Sequence, residues 1–88
     1  MLTGTTSTGF EWKLEDDALD DMELLDALAD WDRGKETGAI HACRLLLGEQ
    51  QRKALYDHLR GDNGRVKATA VLNAVTEILT ALQEGKKS

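Results

Sequence analysis

The chain has 88 residues, 16 acidic and 11 basic, so its formal net charge is −5. This length suits one domain, and the single cysteine, Cys43, excludes an internal disulfide and suits a reducing compartment. No apolar run approaches the ~18–20 residues that span a membrane, and an acidic balance disfavours binding to nucleic acid or anionic membranes. We therefore expect a soluble, cytoplasmic protein.

Residues 1–9 are small and polar, and we expect a flexible lead here, with a weak edge strand as the alternative. Residues 10–14 then alternate apolar and charged side chains, which is typical of a half-buried strand. Because one strand is not stable alone, it needs the lead or another subunit as its partner. We interpret Phe10 and Trp12 as caps of a helical core, with pairing between molecules as the alternative.

Residues 16–33 have an apolar side chain every three or four positions, which predicts an amphipathic helix. Residues 1–33 also contain 10 of the acidic residues and only 2 of the basic ones. Like charges three or four positions apart cost ~0.2–0.5 kcal/mol per pair, less than the ~1.5–3 kcal/mol gained by each buried Leu or Met. The core residues expected from this helix are Leu19, Met22 and Leu25.

Three further helices are predicted after the polar break at residues 32–38, each followed by a glycine. We expect them at residues 39–47, 49–60 and 66–84. The last has the clearest apolar face, formed by Val71, Val75 and Ile78. The predicted fold is mainly all-α, a small bundle of about four helices with a short N-terminal extended segment or strand. Residues 10–85 are the single helical domain, and residues 86–88 are a tail.

The candidate catalytic and metal-binding residues do not form a site. On a helix, His41 and Cys43 would point about 160° apart, and with His58 they supply one donor too few for a closed zinc site. Cys43 falls on an apolar row as a buried thiol, and we expect both histidines at the surface or at its boundary with the core. Acids at helical spacing would lie on a solvated face, and no calcium loop, phosphate-binding loop or nucleophile motif is present. We predict no catalytic, cofactor or metal site, and no enzyme activity.

Three segments carry a resemblance to a known family. They are GFEWKLEDDALDDMELLDALAD, LLLGEQQRKALYDHLR and the turn GDNGRV before the last helix. In this order they resemble the small tail assembly chaperones of long-tailed bacteriophages and prophages, especially those of Gram-positive hosts. The resemblance covers most of residues 9–84.

The resemblance implies a small helical protein that binds the tape measure protein and helps to recruit the tail tube protein during tail assembly. Such proteins commonly self-associate, so a homo-oligomer is among the expected states, and a longer form often arises by translational frameshifting. The implied location is the host cytoplasm, without nucleic acid, membrane or cofactor. Since exposed aromatic side chains often anchor interfaces, the expected partner-binding residues are Phe10, Trp12, Trp31 and Tyr56.

Two other classes of function remain open. The row of acids along one helix would suit an inhibitor that mimics nucleic acid, although residues 34–88 contain 9 basic and 6 acidic residues, which is unusual for a mimic. A small structural or interaction subunit of a larger assembly is the other. The acidic face itself could bind a basic partner or only keep the protein soluble.

Overall fold

The computed structural model describes residues 1–85, and the tail expected at residues 86–88 lies outside that range. Its elements in chain order are the strands β1 (Leu2–Thr5) and β2 (Glu11–Leu14) and the helices α1 (Met22–Asp32), α2 (Glu36–Leu59) and α3 (Ala68–Gly85). The strands form a two-stranded antiparallel sheet. The fold is therefore mainly α, as predicted, with a short N-terminal hairpin.

The described chain has three helices rather than the predicted four. The helices expected at residues 39–47 and 49–60 are both parts of α2. Between them, Gly48 has φ 74° and ψ 173°, which is outside the helical region and accessible mainly to glycine. The interruption is where the sequence indicated it, but it is a kink within one element and not the end of a helix.

The first helix does not begin near Asp16, because Asp21 caps it further along the chain. The Asp21 backbone is extended, and its Oδ1 atom accepts hydrogen bonds from the amides of Glu23 and Leu24 at 3.0 and 3.3 Å. Residues 15–20 form turns instead of a helix. The acids expected in the first helical turn therefore lie on an irregular segment in front of α1.

The inward face of α1 also differs from the predicted one. The side chains that are buried or packed against the core have the i, i+3, i+4, i+7 spacing of one helix face, and they are Leu24, Ala27, Leu28 and Trp31. The expected core residues Met22 and Leu25 are 67% and 47% exposed. Leu19 is half-buried in the turn before the helix. The prediction was wrong because it included Ala18 and Leu19 in the helical pattern, which rotated the apparent apolar face.

The core lies where the three helices and the hairpin meet. The predicted apolar face of α3 is confirmed, since Val71, Val75 and Ile78 are all buried. The largest completely buried side chains come from all three helices, and they are Leu24, Leu55, Ile78, Val75 and Cys43.

The hairpin covers one side of this core. Residues 1–9, expected to be a flexible lead, contain β1, and Gly4 lies opposite Trp12 in its pairing with β2. Phe10, Trp12 and Leu14 are all buried against the helices. The predicted strand and the interpretation of the two aromatic residues as caps of the core are therefore confirmed.

Polar contacts fasten the hairpin loop to two helices. The amide and hydroxyl of Ser7 donate to the Glu77 carboxylate of α3 at 2.8 and 3.0 Å. The Nε2 atom of His58 in α2 donates to the Thr8 carbonyl oxygen at 2.8 Å. The loop is thus held at both α2 and α3.

The helices α1 and α2 approach each other closely at Gly38. A Cβ atom built on this residue would lie 2.5 Å from the Trp31 backbone nitrogen and 2.6 Å from the Ala27 carbonyl oxygen. Both are backbone atoms of α1 and cannot move aside as a side chain would. Glycine is therefore required here by the distance between the helices.

We predict that Gly38→Ala lowers the free energy of unfolding by about 1–3 kcal/mol because the added methyl group forces α1 and α2 apart. Helix propensity alone would change the free energy of unfolding in the opposite direction, because it favours alanine over glycine by roughly 1 kcal/mol. Urea denaturation followed by far-UV circular dichroism measures the change. Thr37→Ala, at an exposed neighbouring position, is the control and should alter stability by no more than ~0.5 kcal/mol. A variant Gly38→Ala as stable as the native chain would contradict the close approach.

Candidate functional site

Two of the four aromatic residues expected to bind a partner lie in the core. Phe10 and Trp12 are only 7% and 4% exposed, because alternate residues of the hairpin face the helices. The assumption that their rings are exposed was wrong, and a partner could not reach them in this conformation. Their packing on the core explains why residues 10 and 12 are aromatic, and no binding partner is needed to explain it.

The other two aromatic residues keep part of their surface at solvent. Trp31 is half-buried near the end of α1. Tyr56 is half-buried in α2, and the Arg52 guanidinium lies over its ring, 5.4 Å from the centroid. Contact of Trp31 or Tyr56 with a partner stays a prediction.

Cys43 and the histidines lie where the sequence placed them. Cys43 is buried, and both His41 and His58 are exposed. Burial raises the pKa of the Cys43 thiol because desolvation disfavours the thiolate, and the positive charges of Arg52 and Arg44 oppose this only in part. The thiol is thus held in its protonated form, which is a poor nucleophile.

Among residues 1–85, no three His, Cys, Asp or Glu side chains are grouped so that they could hold a metal ion. The absence of enzyme activity stays a prediction. A separate finding is that none of the helices in this part of the chain combines the length and the apolar character needed to cross a bilayer.

A groove of about 550 Å³ lies between the turns before α1, the start of α1 and the middle of α2. Its apolar lining includes Met22 and Leu45, whose side chains are 67% and 40% exposed. Five carboxylates and no basic residue complete the charged part of the lining, namely Glu15, Asp17, Asp20, Asp21 and Glu23. The groove therefore combines accessible apolar surface with charge of one sign.

A second depression, of about 220 Å³, continues from it between α1 and α2. Glu23 lines both, and the second adds Asp26 and Asp30 from α1 together with Thr37 and His41 from α2. We call the two together the acidic groove.

The carboxylates of the acidic groove are not neutralised within the described chain. Three ion pairs form among residues 1–85, and their acidic members are Asp16, Glu49 and Asp57, all outside the groove. Asp21 is occupied as the cap of α1. The remaining groove acids have no basic partner among residues 1–85, so they produce a negative potential along the groove.

The helical periodicity of the sequence did not indicate this groove, because it predicted Met22 in the core and the acids on the opposite side of the helix. A signal was present in the pattern. Met22 lies between acids in the run DDME. If the aspartate before it caps the helix, Met22 is the first helical residue and lies in the exposed first turn. The contribution of Leu45 could not be read from the sequence because it depends on how α2 packs against α1.

Comparisons of this chain with protein-family models, with curated proteins and with solved structures found no match. Function must therefore be argued from the sequence resemblance and from the chain's own surface.

We predict that Cys43 reacts with a thiol reagent such as DTNB at least ~100-fold more slowly in the native protein than in urea, because reaction requires an opening of the core. Raising the pH toward the ordinary thiol pKa of about 8.5 should accelerate both reactions by a similar factor, because the native chain reacts through an open state in which the thiol is solvated. The release of thionitrobenzoate measures both rates. Equal rates in the two states would show that Cys43 is accessible and would contradict its place in the core.

Proposed function

We propose that this chain is a non-catalytic tail assembly chaperone of a long-tailed bacteriophage or prophage, and that its acidic groove binds the tape measure protein. The observation that carries the proposal is the exposure of Met22 and Leu45 inside a groove whose charged lining residues are all acidic. The sequence resemblance supplies the biological class. The recruitment of the tail tube protein is part of the same proposal.

The chemistry of the groove selects the client segment. An amphipathic helix can place apolar side chains on Met22 and Leu45 while its flanking Lys or Arg side chains approach the carboxylates. Methionine is unbranched and adapts to differently shaped neighbours. A single groove could therefore accept several segments along a long, largely helical client.

The binding should be weak at each segment. Covering a fully exposed Met or Leu contributes ~1.5–3 kcal/mol, and Met22 and Leu45 are already partly covered. Association and the ordering of side chains oppose this gain. We therefore expect micromolar or weaker dissociation constants, with many chaperone molecules bound along one client. Weak contacts suit a chaperone that must leave as the tail tube encloses its client.

We predict that the double variant Met22→Ser, Leu45→Ser binds the tape measure protein roughly 10–100-fold more weakly, because each substitution removes an apolar anchor. The measurement is co-expression with the tagged tape measure protein, followed by pull-down and titration of purified components. Ile40→Ser is the matched control, because Ile40 is 45% exposed on α2 and does not line the acidic groove. It should change binding by less than ~3-fold.

The outcomes separate the site from the function. Equal weakening by the groove variant and by Ile40→Ser would place the client elsewhere on the chaperone. Failure of the native chain to capture the tape measure protein at low salt would overturn the chaperone proposal itself. An inhibitor that mimics nucleic acid would instead bind a nucleic-acid-binding protein through carboxylates alone, so the serine substitutions would leave its binding intact.

A further inference from the structure

The two-stranded sheet has two edges, and a side chain interrupts one of them at Lys13. The amide of Lys13 in β2 donates to Gln51 Oε1 at 2.8 Å, and Gln51 Nε2 donates to the Lys13 carbonyl oxygen at 2.6 Å. The carboxamide thus makes the same pair of hydrogen bonds that a neighbouring strand would make. No further strand can add at Lys13 while Gln51 holds this position.

The register of the hairpin shows that the other edge is open. Thr3 lies opposite Lys13, whose backbone groups point away from β1 toward Gln51. In an antiparallel ladder the backbone N–H and C=O groups of both residues in such a pair point away from the partner strand. The same orientation recurs every second residue, so the backbone groups of Thr5 also point outward. No hydrogen bond joins these outward groups of Thr3 or Thr5 to another residue in the described range.

The surface beside the open edge is almost uncharged. A groove of about 440 Å³ runs between β1 and α3, and it is lined in part by Thr3, Thr5, Thr6, Thr76, Thr80 and Ala81. Its one charged residue is Glu77, whose carboxylate accepts the two hydrogen bonds from Ser7. In a chain with a net charge of −5, this is a side on which a second copy meets little electrostatic repulsion.

We propose that a second copy of this chain adds its own β1 to the open edge, forming a four-stranded antiparallel sheet across a two-fold axis. The axis passes through Gly4, so that Thr3 of one chain faces Thr5 of the second copy and each such pair exchanges its backbone hydrogen bonds. The neutral faces of α3 then lie side by side below the joined strands.

Several observations favour a second copy as the occupant. The edge is self-complementary, as an interface between identical chains must be. The outward backbone groups of Thr3 and Thr5, which have no partner within the described part of one chain, gain strand partners in the dimer. Because Gln51 occupies Lys13, one of the two outward-facing residues of β2, a continuous ladder cannot form along that edge, and the pairing through β1 ends at a closed dimer. The lining residues of the acidic groove are different ones, so the dimer leaves that groove accessible.

Proline substitution tests the interface selectively. In Thr3→Pro, Thr5→Pro the outward amides are removed, while the amides that pair β1 with β2 remain, so the fold is compatible with the change. We expect the native chain to sediment at twice the monomer mass of 9.7 kDa, and the double proline variant to raise the dimer dissociation constant at least ~10-fold. Thr3→Val, Thr5→Val keeps the amides and should remain dimeric. Circular dichroism and urea denaturation establish that both variants are folded.

A second pair of variants tests the same interface without altering the strand. Thr76→Glu, Thr80→Glu places like charges on the two facing α3 surfaces and should shift the chain toward the monomer, more strongly at low salt. Gln50→Glu, exposed on α2, adds charge elsewhere and should have little effect. A native chain that stays monomeric up to its solubility limit overturns the proposal. So does a folded double proline variant that dimerises as tightly as the native chain.

Discussion

The packing of Phe10, Trp12 and Leu14 onto the helices is the contact on which the rest of the structure depends. These side chains join an N-terminal hairpin to a helical core that is otherwise small. By fixing the hairpin, they bring the edge of β2 to Gln51 on α2 and the edge of β1 alongside α3. They also fix where the chain leaves the sheet, and therefore where the acidic turns before α1 begin.

The two surfaces that result differ in character. The acidic groove presents exposed side chains and negative charge, and it suits a cationic, amphipathic segment. The β1 edge presents backbone groups and threonines, and it suits a strand without charge. The uneven distribution of acids along the chain is thus also an uneven distribution over the surface. In the proposed chaperone, negative charge would select a client on one side without opposing the proposed pairing of two copies on the other.

Much of the fold could be predicted because its signals are local. The alternation of residues 10–14, the apolar face around Val75 and the burial of Cys43 follow from periodicity over a few residues. The start of α1 could not be predicted in this way, because residues 16–21 include four aspartates that could each cap a helix. The choice of Asp21 depends on tertiary packing.

The strand β1 has no clear pattern of its own and is defined by its partner. The acidic groove joins Met22 and Leu45, which are distant in sequence, so a local pattern could indicate the exposure of Met22 but not the groove itself.

The unneutralised acids of α1 also link the stability of this protein to its occupancy. Glu23, Asp26 and Asp30 follow one another at spacings of three and four positions, where each like-charge pair costs ~0.2–0.5 kcal/mol. The positive charges of a cationic segment in the groove would offset this repulsion. Because such a segment would bind only the folded state, it would also shift the folding equilibrium toward that state. The free chain therefore carries a small electrostatic destabilisation that neutral residues at these positions would remove. A cationic ligand in the acidic groove would add to the stability that the chain's own contacts provide.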